Sequence, residues 1–262
     1  MPESPGAATA GRARLDRQLT GEMDRSLRVF LREVNSAAQD SLPTAVLLAA
    51  GRNPFTLGSV LGLWETVVEG FGRTVGRFFG RGKGTDPFVE AYLRGMQQRL
   101  RSSNLPSRAY SSAVEVLTAS TQQSWSRPKT TAELRLALAP DRGTSVRTQD
   151  PSDAAGAPTI EEGGFTYATT AERIARTEAT AAYGVSSLVD LGRAGVKYKR
   201  WVSHHDRHVR PAHASASGQT VPLTGSFVVG GYTLPYPGDP SAPTGQTANC
   251  RCVIVGADKP SR

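Results

Sequence analysis

All four histidines of the chain, His204, His205, His208 and His213, lie within ten positions, and both cysteines, Cys250 and Cys252, lie within three. Imidazole and thiolate are the donors that Zn2+ takes in tetrahedral N/S sites. The Cys-x-Cys interval is tighter than the usual Cys-x2–4-Cys, and on a strand it puts both sulfurs on one face. The expectation taken forward is that His213 packs and hydrogen-bonds with Cys250 and Cys252 in a metal-free core, with no cofactor. The alternative is a structural Zn2+ on the same three residues, and a disulfide is a third arrangement. Arg193, Lys197, Lys199, Arg200, Arg207 and Arg210 are opposed only by Asp206 between positions 193 and 210. Such a run is an electrostatic footprint for DNA phosphates or an acidic protein, and equally the solvated face of a strand.

One carboxylate is out of place. On a helix over Ala171–Leu191 the apolar stripe holds Ile174, Ala181, Val185 and Leu188. At 100° per residue, Glu178 falls about 40° from Ile174 and about 20° from Val185, inside that stripe. It must reach water at a helix edge or be paired, and a buried ion pair would organise the C-terminal part of the chain.

The elements that would position these groups are legible from periodicity. Leu15, Leu19, Met23, Leu27, Phe30, Leu31 and Val34 recur at three- and four-residue spacing, and Pro43 interrupts any continuation. Thr56 to Phe79 reads as a second helix with a broad face including Val60, Trp64, Val68, Phe71 and Val75. Its Gly58, Gly62, Gly72 and Gly76 would let another backbone approach. This face suits an ordinary bundle helix or docking to a large partner, and the nearby Arg73, Arg77, Arg81 and Lys83 would also suit lipid headgroups. Phe88, Tyr92, Met96 and Leu100 mark a third helix, and shorter ones are expected over Arg108–Ser124 and Thr130–Leu138. From Pro140 to Gly164 apolar residues almost vanish among Pro, Gly, Ser and Asp, which reads as a linker. Strands are expected at Val196–Val202, Ser226–Leu234 and Cys252–Val255. The expected fold is α+β: a helical, partner-docking region over 1–139, a linker over 140–164, and a small α+β domain with long ordered loops over 165–262.

Composition sets the outer limits. At 262 residues the chain can bury roughly 70–75% of its unfolded surface. A hydrophobic fraction of 38%, with Gly 27 and Pro 17, is lean for one fully packed domain and implies loop-rich stretches. The two cysteines exclude a disulfide-dense scaffold, and the net charge of +8 admits an acidic partner. No apolar run approaches the roughly 18–20 residues of a membrane span, so no span is expected. The N-terminus, with Glu3 and Pro5, lacks a secretory pattern, and maturation in the cytoplasm is the expectation. No phosphate-binding Gly-rich loop, His-Glu-x-x-His or Gly-x-Ser-x-Gly motif is present.

The order Ile174-Ala175-Arg176-Thr177-Glu178, then Trp201, Asp206, Arg210, His213 and Gly218, then Tyr236-Pro237-Gly238-Asp239-Pro240, then Asn249-Cys250-Arg251-Cys252 resembles the C-terminal domain of the phage Mu F-like minor head protein (head morphogenesis) family. The resemblance covers about 171–255 and does not take in His204, His205 or His208. It implies a low-copy virion protein at the portal vertex or head interior, meeting portal, scaffold or major capsid protein and acting in assembly, DNA packaging or ejection. It implies a structural core at Trp201, Asp206, Arg210, His213 and Asn249 to Cys252. Because the loop from Pro211 to Asn249 has few large apolar residues, its ends are expected to be held by Asp206 paired with Arg210 and by His213 facing the two thiols, with Glu178 joining from the helix. The same domain type accompanies toxins and is related by fold to ADP-ribosyltransferases. That makes a transferase using Arg176 or Arg210 with Glu178 the rival, although fold analogy is a weak warrant for activity. No catalytic residue is expected. Non-specific duplex DNA binding is expected at Arg193, Lys197, Lys199, Arg200 and Arg207.

Overall fold

The computed structural model describes residues 4–40, 55–138, 145–146, 162–163, 167–204 and 206–258. Five helices come first: α1 (Pro5–Asp40), α2 (Leu57–Lys83), α3 (Pro87–Arg101), α4 (Leu105–Gln122) and α5 (Arg127–Ala137). Their starts are written in the sequence. Thr56 and Ser59 exchange two 3.2 Å hydrogen bonds in a capping box, Asp86 accepts from the N–H of Phe88 at 3.0 Å, and Ser126 accepts from that of Lys129 at 3.4 Å. Gly80, with φ +64°, kinks the last turns of α2. Pro43, expected to end the first helix, lies outside the described residues, as does most of the expected linker; the part that is described forms a short antiparallel pair, β1 (Ser145–Val146) with β2 (Glu162–Gly163).

The periodic residues of α1 are buried, and Phe30 meets Trp64 of α2 edge-on at 5.4 Å. Trp64 also donates its indole N–H to the carbonyl of Leu100 in α3 at 2.8 Å. The Trp64–Phe71 face is therefore consumed inside the chain, which corrects its reading as a face open to a partner. Nor do the α2 glycines bring a backbone close: a Cβ at Gly62 or Gly76 would meet nothing within 4 Å, and one at Gly72 only the Gln97 side chain.

The remainder is a small α+β unit. Helix α6 (Tyr167–Arg193) leads to β3 (Tyr198–Val202), α7 (Pro211–Ala216), β4 (Thr220–Pro222), β5 (Phe227–Val229), β6 (Tyr232–Leu234), α8 (Thr244–Thr247) and β7 (Val253–Ala257). One antiparallel sheet runs in the order β4-β3-β7 with Trp201 opposite Ile254, and β5 and β6 form a hairpin. Helices α7 and α8 and strand β4 were not expected: each is only three to six residues long, too short to show a period.

Helix α1 packs along α6 and reaches β7, where Ala8 clusters with Val253 and Val255. Gly11 permits the approach, since a Cβ there would come within 2.8 Å of the Tyr183 ring. One buried apolar cluster thus takes side chains from α1 to α6 and from the sheet and hairpin.

Candidate functional site

Two helical threonines one turn apart, Thr177 and Thr180 of α6, hold the Asn249–Cys250 turn. The N–H of Asn249 donates to Thr177 Oγ1 at 3.0 Å, and Thr180 donates its hydroxyl to the carbonyl of Cys250. Asn249 has φ +56°, a left-handed conformation that Asn tolerates better than most residues. Arg210 donates to the carbonyl of Ala248 at 2.6 Å, so the turn is gripped from both sides. The extended segment that follows turns both sulfurs inward.

Inside, His213 on α7 meets them. Its Nδ1 lies 3.5 Å from Cys250 Sγ and 3.5 Å from Cys252 Sγ, all three residues are buried, and the three donor atoms lie within 4.8 Å of one another. Ideal tetrahedral zinc, with Zn–S about 2.3 Å and Zn–N about 2.0–2.1 Å, gives an N···S edge of about 3.6 Å. The ring is aimed by its other nitrogen: Nε2 lies 3.3 Å from Gln246 Oε1, and donating there leaves the Nδ1 lone pair for the sulfur side. The expectation of a metal-free cluster with no cofactor is overturned by this geometry, which is a metal-ligating triad suited to a structural Zn2+.

Electrostatics favour thiolate at this point. The Cys250 thiol is held well below its ordinary range, first by its hydrogen bond with Cys252 and then by His213, while Cys252, keeping the proton of that bond and buried, is pushed up. Arg12, carried in from α1 with a buried, unpartnered Nε, lies within electrostatic range of Cys250. The Trp201 indole N–H is buried without a conventional partner and acts electrostatically on the Cys252 sulfur. Trp201 also stacks edge-on against His213 at 5.7 Å.

Asp206 is not paired with Arg210 as expected. Its two oxygens take a bidentate bond from Arg251 at 2.6 and 2.7 Å, which holds its carboxyl well below the usual range. The physical reason is strand geometry: Arg251, between two inward cysteines, points the opposite way, toward the loop that carries Asp206.

Glu178 does not join the metal-ligating cluster either. It is buried on α6 and receives Arg99 of α3 at 2.7–3.2 Å, with the Tyr92 hydroxyl at 3.2 Å. Burial, reinforced by the Glu178 charge, raises the Tyr92 hydroxyl pKa. The Tyr236-Pro237-Gly238-Asp239-Pro240 turn lies on the same helix: Gly238 has φ +82°, and a Cβ there would come within 2.8 Å of the Ala181 backbone. Arg176 is spent on Asp16 at 3.4 Å and Arg210 on Ala248, so neither makes the Arg-plus-Glu pocket of the transferase reading.

The basic run divides. Arg193, Lys197, Arg200 and Arg207 are exposed, but Lys199 shares the inward face of β3 with Trp201, is 1% exposed and donates to the carbonyl of Pro235 at 2.7 Å. It lines an apolar cavity of about 300 Å3 with Leu188, Val189 and Leu223, and burial lowers its pKa to about 8. Lys199 is therefore corrected out of the DNA-facing set. Arg99 and Arg12 gave no sequence signal, being brought in from distant helices, and neither did Thr180; Tyr92 was legible only as a periodic core position, and Thr177 and Arg251 only from the motifs that contain them.

Among the described residues no helix is long and apolar enough to cross a membrane. No curated protein and no solved structure matches the chain. A family model, Phage Mu protein F like protein, matches residues 111–255, more than half of the chain and starting well before the 171 expected from motifs. With the ordered residues of α6, β3, the Pro-Gly turn and the Cys-x-Cys strand in one unit, the chain belongs to the Phage Mu protein F like family of phage head-morphogenesis proteins.

Proposed function

We propose that the protein is a minor head component acting at the portal vertex or head interior during assembly and DNA packaging or ejection. The family match over residues 111–255 carries this reading. Residues 165–262 supply the α+β domain, residues 1–139 the contact to portal, scaffold or major capsid protein, and 140–164 the connection. Because Trp64 and Phe71 are spent internally, that contact falls to the large apolar side chains left exposed on the helices: Val29, Leu57, Leu61 and Phe88. The test is mass spectrometry of purified procapsids and mature heads, in which the protein is expected at low copy number; absence from both would refute the reading.

Duplex DNA is the second contact, through Arg193, Lys197, Arg200 and Arg207. Engagement of four phosphates predicts a log-log salt slope of about −3 to −4. Changing all four to Ala should abolish salt-sensitive binding, and unchanged binding would remove this patch from the account.

A further inference from the structure

The metal-ligating triad is one donor short of a closed tetrahedral site. We propose that His204 is the fourth ligand, completing a Cys2His2 zinc centre, with Asp206 orienting it; this rests on the reading of His213, Cys250 and Cys252 as metal ligands.

The space beside the triad is a cavity of about 10 Å3, bordered by the triad and by His204 and His208. That is about one probe sphere, enough for an ion and one more donor atom and far too small for a substrate. A closed structural site fits it and an open catalytic one does not.

Of the two bordering imidazoles, His204 has the arrangement of a ligand. Its Nδ1 lies 3.2 Å from Asp206 Oδ2, and a carboxylate on one ring nitrogen fixes the tautomer and presents the other as a lone pair. Its Nε2 has no partner among the described residues. Asp206 is in turn held by the bidentate Arg251 bond and by the N–H of His208 at 2.9 Å. The main-chain N–H of His204 already bonds toward the Cys252 sulfur, so the residue is anchored at the centre by its backbone. His208 is placed differently: Asp206 meets its main chain and not its ring, and its Nε2 faces the Arg207 guanidinium at 3.4 Å, a cation beside the atom that would have to ligate one.

The ring nitrogens of His204 fall outside the 4.8 Å group formed by the triad, so ligation draws the ring inward by side-chain rotation. Charge closes the argument. Two thiolates and two neutral imidazoles around Zn2+ make a neutral centre, which suits the buried position of Cys250, Cys252 and His213. The soft donor set selects zinc over magnesium or calcium.

The full-length protein, stripped of metal, is titrated with Zn2+ against a chromophoric chelator and with Co2+ as a spectroscopic probe. One equivalent of each is expected, with tetrahedral Co2+ bands. His204→Ala should weaken Zn2+ binding beyond the roughly 10–100-fold that loss of an outer hydrogen-bond partner costs, and should shift the Co2+ bands. Asp206→Asn should weaken binding by roughly 10–100-fold with the band pattern kept. His208→Ala should leave both readouts unchanged. His204→Cys, which restores a donor, should recover affinity and add sulfur-to-cobalt charge-transfer intensity. Unchanged affinity and bands in His204→Ala, with binding abolished in Cys250→Ala, would mean three protein ligands and overturn the role of His204 alone. Failure of the wild-type chain to bind either metal would overturn the triad reading as well.

Discussion

Helices α1 to α5 and the segment from β3 to β7 are held in place by different kinds of contact. In the helices the same event is repeated: Leu19, Met23, Leu27, Val68, Phe71 and Met96 are each buried and share the load with many similar neighbours. From β3 onward Trp201, Phe227, Leu234 and Ile254 are buried too, but individual polar groups fix the turns between them: Thr177 and Thr180 on the 249–250 turn, Arg251 on Asp206, His213 on two sulfurs. Where burial is repeated, one lost side chain is a graded defect. Where a turn depends on one directional contact, its loss releases a whole loop.

The largest expected effect tests that contrast directly. Chelation of metal from the full chain, or Cys250→Ala, should destabilise by several kcal/mol, up to the about 10–16 kcal/mol that structural Zn2+ contributes in zinc-finger peptides. Amides of β3 and β7 should lose hydrogen-exchange protection while those inside α2 to α4 keep theirs. Leu19→Ala should cost about 2–5 kcal/mol without any chelator dependence. Equal loss of protection in both regions on chelation would break the comparison.

Next in size is the contact that crosses between the regions. Glu178→Gln leaves Arg99 largely buried without its counter-charge and should cost about 3 kcal/mol, whereas Glu178→Met with Arg99→Met should recover most of it. Thermal unfolding of the three variants checks this; a double variant as unstable as Glu178→Gln would mean that the pair contributes more than mutual neutralisation.

The most gradual effect concerns Lys199, at most about 1.4 kcal/mol for each pH unit. Its folded pKa of about 8 lies below the ordinary 10.5, so between these values the unfolded chain binds more protons than the folded one. Stability should therefore rise with pH from about 8 to 10.5 by this contribution, and Lys199→Met should flatten the rise. A pH series of melting temperatures for both proteins decides it, and identical curves would return Lys199 to the solvent.

The comparison also explains what could be read in advance. Helices α1 to α3 repeat apolar residues often enough for the 3.6-residue period to locate them, and Glu178 announced itself by interrupting a stripe. The same arithmetic has nothing to work on in Pro211–Ala216 or Thr244–Thr247. It cannot find Arg99, because a helix pair, not a local pattern, brings that residue 79 positions to its partner. Lys199 was misassigned because Lys199 and Arg200 are adjacent cations on a strand, and only the inward position of Trp201 decides which of them faces the core. Composition named the His213, Cys250 and Cys252 donors, but whether they converge depends on Gln246 and Thr180, which composition does not connect to them.

The packing of Ala8 against Val253 and Val255 joins α1 to β7, the first and last elements among the described residues. Synthesis at about 5–20 residues per second separates α1 from β7 by roughly 10–45 s. During that interval α1 has no β7 to pack on, and β3 lacks its neighbour. The native unit is thus completed only once β7 has been made, and a stop codon just before Val253 would be felt in α1 as well as in β3.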